Sequence, residues 1–179
     1  RECVVDDPQQ FMGNKYTEWG HEFEPEAASE FSRVMGIEVH EVGFCTASHN
    51  PVLGCSPDRL IKDEAGEWVR GLEIKCPQVD NHVDYLLAGE LPAKYKMQVH
   101  GSMAVTGLSE WYFMSYFPNL KPLIVKVERD EFTEKLAGAL DQFVIDYAEE
   151  REAVLKAILP NSNEEVDWRT NPACRRREA

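Results

Sequence analysis

Residues 56–77 read SPDRLIKDEAGEWVRGLEIKCP. Two short apolar segments flank KDEAGEW, whose Asp and Gly have the chemistry of a hairpin turn, so SPDRLI and WVRGLEIK are expected to pair antiparallel. Side chains alternate across a strand, which places Glu73 and Lys75 on one face and Ile74 on the other. The pairing sets Asp58 on the neighbouring strand, with its carboxylate beside that of Glu73. Two oxygen ligands fixed by a rigid sheet suit a hard divalent cation, with the main-chain carbonyl of Ile74 as a third. Lys75 would offset the repulsion between the carboxylates. With a cation bound, its lowered pKa would let it orient or deprotonate a water attacking a phosphodiester. The same residues also suit an ordinary cross-strand ion-pair cluster without chemistry, and at this point both readings stand.

Outward from this hairpin, WGHEFEPEAASEFSRVMG (19–36) carries Trp19, Phe23, Ala27, Phe31 and Met35 at four-residue spacing, which predicts an amphipathic helix closed at Gly36. Pro25 starts or kinks it, and Glu24 lies at the edge of its apolar stripe. IEVHEVGFC (37–45) and LGCSPDRLI (53–61) read as strands. VDYLLAGELP reads as a short helix, and AKYKMQVHGSMAVTG as a second one ended by Gly107. EWYFMSYF and PLIVKVER are rich in aromatic and β-branched residues and read as strands, their aromatics packing a core rather than a stacking platform. Phe132, Leu136, Leu140, Phe143, Tyr147, Val154 and Ile158 outline one long helix stopped by Pro160. The order of elements predicts an α/β fold with a mixed β-sheet flanked by helices.

The 179 residues fit a single domain, 1–179, with 1–17 and 160–179 irregular or peripheral. The start, RECVVDDPQQ, has neither an initiator Met nor a signal-peptide apolar core, and reads as trimmed or incomplete. No apolar run is long enough for a membrane helix. Five cysteines without a C-x-x-C pair fit neither a zinc site nor a disulfide framework, and read as reduced thiols of a cytoplasmic protein. The five histidines have no metal-ligand spacing and are expected to be structural or at the surface. A net charge of −13 argues against a general nucleic-acid coat, though not against an enzyme whose cations line one channel. The basic cluster Arg175, Arg176 and Arg177 is weak evidence of DNA contact.

SPDRLI followed by GLEIKCP closely resembles the PD-(D/E)xK nuclease motif in its lambda-type exonuclease form, that of the YqaJ group of viral recombinase nucleases. WGHEFEPEA, KYKMQVHGSMAVTG, EWYFMSYFP and VKVERDE agree with further segments of that family in the same order. The resemblance runs from about Trp19 to the end of the long helix. It implies a restriction-endonuclease-like fold with a central mixed β-sheet flanked by helices. It implies metal ligation by Asp58, Glu73 and the Ile74 carbonyl, with Mg²⁺ as cofactor and Mn²⁺ as substitute. Lys75 would act on the water, and Glu24 would complete the metal shell. Tyr95 and Gln98 would lie along the DNA, and Ser56 near the terminal 5′ phosphate. The family's helical segment whose Arg and Ser grip that phosphate has no counterpart in RECVVDDPQQFMGNKY. The implied activity is 5′-to-3′ digestion of one strand of linear duplex DNA, leaving 3′ single strands for recombination in the cytoplasm, of the host if the protein is viral. The implied assembly is a homotrimer around DNA ends, working with a single-strand annealing protein. The alternatives are an endonuclease or repair nuclease of the same site chemistry without end preference, and a catalytically silent DNA-binding subunit.

Overall fold

A computed structural model of the chain describes residues 15–158. The elements run α1 (Lys15–Met35), β1 (Cys45–Thr46), β2 (Gly54–Cys55), β3 (Arg59–Lys62), β4 (Trp68–Lys75), α2 (Val79–Ala88), α3 (Ala93–Thr106), β5 (Glu110–Ser115), β6 (Leu123–Glu128) and α4 (Glu131–Ile158). The chain divides into two compact units. One spans Gly13–Asp141 and holds every strand; of the other, the described residues are the stretch of α4 from Gln142 onward. Among the described residues no helix is long and apolar enough to cross a membrane. The tail after Ile158, with the cluster Arg175, Arg176 and Arg177 and with Pro160, lies outside the described residues, as does the segment before Lys15.

The main sheet has the order β3-β4-β5-β6. β3 pairs β4 antiparallel, β4 pairs β5 parallel, and β5 pairs β6 antiparallel. A parallel pair needs a long crossover, and α2 and α3 supply it between β4 and β5. The hairpin forms as its sequence predicts. Asp63 Oδ1 accepts from the N–H groups of Ala65 and Glu67 at 2.9 and 3.0 Å, and Gly66 takes φ 87°, which a side chain would strain.

Alternation along β4 builds two cores. Leu72 and Ile74 face α1, where they pack with Ala27, Ala28, Phe31, Ile61, Tyr112 and Met114. The opposite face packs Leu60, Trp111 and Phe113 against Val99 and Met103 of α3. All of Trp111–Tyr116 is buried, so the aromatics of β5 are core, as expected.

Three expectations change. The 37–45 strand reduces to a single bridge, His40 to Leu60, and its end alone joins β1. The 53–61 strand splits at Ser56-Pro57-Asp58 into β2, paired with β1, and β3, paired with β4, because Pro57 has no N–H to give to a ladder. In α1 the apolar residues at strict four-residue spacing drift about 40° per step around a helix of 3.6 residues per turn. The buried set is therefore Ala27, Ala28 and Phe31, while Met35 is exposed. Likewise Phe143 and Val154 of α4 are exposed.

Gly71 of β4 lies against the ring of the fully buried Trp111; a Cβ there would sit 2.3 Å from Trp111 Cη2. Trp111 is packed on all sides and has no free direction in which to yield. Gly71→Ala should therefore destabilise the fold by about 1–3 kcal/mol. A urea unfolding midpoint lowered at unchanged m-value is the expected reading.

Candidate active site

The site forms where β4 outruns β3. Pairing between these strands ends at Arg59 and Leu72, and the N–H of Ile74 meets no strand on that side. The Asp58 carboxylate takes that place, its Oδ2 accepting from Ile74 N at 2.6 Å. Asp58 Oδ1 receives no hydrogen bond among the described residues. Glu73 and Lys75 share the face that β4 turns toward α3. Lys75 Nζ lies 2.5 Å from Glu73 Oε1, and Gln98 of α3 donates its Nε2 to the same oxygen at 2.6 Å. Glu73 is only 1% exposed, and its second oxygen, Oε2, is buried without a donor.

The electrostatics follow from this crowding. Burial, with Asp58 as a like-charged neighbour, pushes Glu73 up to about 7. Burial also raises Asp58, against the lowering effect of the Ile74 N–H. At Lys75 burial disfavours the ammonium, yet Glu73 and Asp58 outweigh it and leave its pKa above the ordinary value. The neighbouring thiol of Cys76 is pushed up to about 12 by burial, so it stays protonated and is a poor nucleophile.

An open cleft of about 280 Å³ lies over this end of the sheet. Glu24 and His21 of α1, Asp58, Lys75 and Tyr95 line it, together with Ile74. Tyr95 is stacked on Phe113 with ring centroids 5.2 Å apart, and Lys75 Nζ is 5.7 Å from its ring centre. Glu24 Oε1 accepts from Arg59 Nη1 at 2.7 Å.

A metal can be tested against these residues. The orphaned Oε2 of Glu73 and the undonated Oδ1 of Asp58 are hard oxygens short of a positive partner, and Ile74 borders the same cleft. That donor chemistry fits a hard divalent cation. Among the described residues, however, no three His, Cys, Asp or Glu side chains converge as a ready-made ligand set, and Glu24 is held by Arg59.

Residues 2–109 match the family model for the YqaJ-like viral recombinase domain. The chain belongs to that family. It is a lambda-type exonuclease relative with the PD-(D/E)xK fold. The alkaline exonuclease LHK-Exo from Laribacter hongkongensis is 27% identical. Its complex with dAMP gives a TM-score of 0.73 over 83% of this chain and 76% of that one. A second LHK-Exo structure gives 0.69 at the same identity, over 82% and 75%. A phage-related exonuclease from Haemophilus somnus 129PT shares the fold at 16% identity and TM-score 0.53, over 72% of this chain and 68% of that one. No curated protein matches the chain.

Within this family frame, the structure brings Asp58, Glu73, Ile74 and Lys75 together at one strand end and sets Tyr95 and Gln98 beside them. It places Gln98 on the Glu73 carboxylate, and Glu24 across the cleft on α1 against Arg59. Ser56 is exposed in the link between β2 and β3 and does not line the cleft. Alternation is expected to turn Arg59 to the opposite face from Asp58. It does face that way, but α1 crosses there and delivers Glu24 to it. His21 is exposed, as expected of a surface histidine, and lies three residues before Glu24, a spacing that puts both on one helix face bordering the cleft. His82 and His100 are structural as expected, buried on Ser115 and Thr133 at 2.8 and 2.7 Å.

The raised Glu73 has a consequence for stability. Its folded pKa of about 7 exceeds the usual 4.5, so between these values the folded chain binds more protons than the unfolded one, and stability falls as pH rises. Glu73→Gln removes that titration. In chelator, the variant should match wild type near pH 4.5 and gain on it progressively up to pH 7. The gap should reach about 3 kcal/mol at about 1.4 kcal/mol per unit. Urea unfolding at a series of pH values measures it, and a gap that stays constant would contradict the assignment.

Proposed function

We propose that the protein is a metal-dependent exodeoxyribonuclease that degrades one strand of linear duplex DNA from its 5′ end and leaves 3′ single strands for recombination by annealing. The observation that carries this reading is the Lys75 ammonium held on a buried Glu73 carboxylate beside Asp58, at the floor of an open cleft. The membership in a viral recombinase family and the likeness to exonuclease structures support it.

In this reading Asp58, Glu73 and the Ile74 carbonyl would hold Mg²⁺, with Mn²⁺ as substitute, and Glu24 would complete the shell. The chemistry such a cation would supply when bound is positive charge beside the phosphoryl oxygens. Lys75 positions the attacking water and accepts its proton, a role for which its ammonium must first lose its own proton. Gln98 fixes the carboxylate of Glu73 while that of Asp58 is fixed by the Ile74 N–H, so both oxygens are aimed before substrate arrives. Tyr95 gives the DNA an apolar wall beside the scissile phosphate, and Arg59 keeps Glu24 oriented. Ser56 would contact the terminal 5′ phosphate. The partners in this reading are duplex DNA ends, two further copies of the chain forming a homotrimer, and a single-strand annealing protein, all in the cytoplasm.

Digestion of linear duplex labelled separately at each 5′ and 3′ end tests the proposal. The 5′ label should be released first, covalently closed circular duplex should survive, and chelation should stop the reaction. Lys75→Ala should lower the rate by about 10²–10⁴-fold without loss of fold. Early release of 3′ label, cutting of the circle, or equal digestion by the Lys75→Ala variant would each overturn the corresponding part.

A further inference from the structure

A chain of net charge −13 that handles a polyanion needs cations not already neutralised. Several of its basic groups sit on carboxylates: Arg59 on Glu24, Arg70 on Glu110, Lys126 on Glu110 and Glu128, Arg129 on Glu134. Lys94, exposed in the first turn of α3, has no carboxylate within ion-pair distance among the described residues. Its ammonium instead sits 4.9 Å from the ring centre of Tyr95 and 5.2 Å from that of Tyr85. The two rings meet edge-on, with centroids 6.2 Å apart, and form a corner for the lysine head. An aromatic face attracts a cation through its quadrupole but carries no net charge, so Lys94 is held in place with its full charge available.

Tyr95 links this cation to the active cleft. The same ring has Lys75 Nζ 5.7 Å from its centre and lines the cleft wall. Two ammonium groups therefore share one tyrosine, the first inside the cleft on Glu73 and the second outside it without an anionic partner. Lys62, over Trp68 at 4.4 Å, is held by an aromatic ring in the same way, but at the opposite end of β4 from Lys75.

We propose that Lys94, braced by Tyr85 and Tyr95, is a second phosphate subsite that grips the nucleic-acid backbone next to the phosphodiester held at Lys75. The cleft thus continues past Tyr95 as a track of two cations joined by an aromatic step. This deepens the nuclease reading and rests on it for the identity of the first phosphate.

Equilibrium binding of a fluorescently end-labelled DNA duplex to the full chain in chelator, followed by anisotropy across a salt series, tests the subsite without any cleavage. Wild type should show log Kd rising linearly with log salt. In Lys94→Gln that slope should fall by about 0.9, the value for one lost phosphate contact, with affinity at 0.1 M salt roughly eightfold weaker. Lys94→Arg should restore most of the slope, and Lys62→Gln should leave it unchanged. An unchanged slope in Lys94→Gln, an equal drop in Lys62→Gln, or no binding by wild type would overturn the proposal. A lowered slope in a protein that releases no nucleotides when Mg²⁺ is added would retain the phosphate subsite and discard the nuclease reading.

Discussion

The site depends on one hydrogen bond, from the backbone N–H of Ile74 to the carboxylate of Asp58. Pro57, which cannot donate to a ladder, keeps β3 from starting before Arg59, while antiparallel β4 runs past that point toward Lys75. A buried strand amide left unpaired there would cost about 1–3 kcal/mol. The Asp58 side chain satisfies it, and by doing so loses the freedom a loop carboxylate would have. Its position is then fixed relative to Glu73 and Lys75 by the geometry of the strand. The PD dipeptide thus has a mechanical reading: proline bounds one strand, and aspartate caps the amide of the next at the strand end that carries Glu73 and Lys75.

The price of that assembly appears at Glu73. A carboxylate that is 1% exposed, bonded to Lys75 and Gln98 on one oxygen and to nothing on the other, is a poor way to hold a protein together. Buried ion pairs seldom repay their desolvation, and hydrophobic residues of similar size would serve stability as well or better. The rest of the neighbourhood compensates by packing. Gly71, next to Glu73 on the same strand face, admits the indole of Trp111, and Leu72 and Ile74 close the other face against α1. In the reading proposed above, a buried carboxylate left half-satisfied between otherwise well-filled layers is retained for chemistry.

Much of this was legible in the sequence because it follows from a period of two. Alternation alone separates Glu73 and Lys75 from Ile74, and the Asp63–Gly66 turn fixes which strand Asp58 must join. What the sequence did not disclose depends on how elements cross. Arg59 points away from Asp58, as alternation requires, and only the path of α1 over the sheet turns that into a contact with Glu24. Gln98 lies on α3, whose apolar and polar residues are mixed on every side, so periodicity names no face for it; Glu73 does. The 53–61 run looked like one strand because its residue types suit one, and the break at Pro57 shows only when two different sheets claim its halves. In α1, exposure of Met35 follows from the helical angle rather than from residue type.

The charges around the cleft argue for coupled binding in the reading proposed above. Glu24, Asp58 and Glu73 contribute three carboxylates, and Lys75 and Arg59 two cations, each already bonded to one of those acids. A phosphodiester entering this arrangement would find no surplus of positive charge. A divalent cation entering it would find oxygens lacking donors, but at a site where Glu73 holds a proton up to about pH 7. Each ligand therefore supplies what the other lacks, and by linkage whichever binds first must strengthen the second by the same factor. An acidic chain can in this way handle a polyanion at one point on its surface while repelling it elsewhere, which makes the cleft selective without a general affinity for nucleic acid.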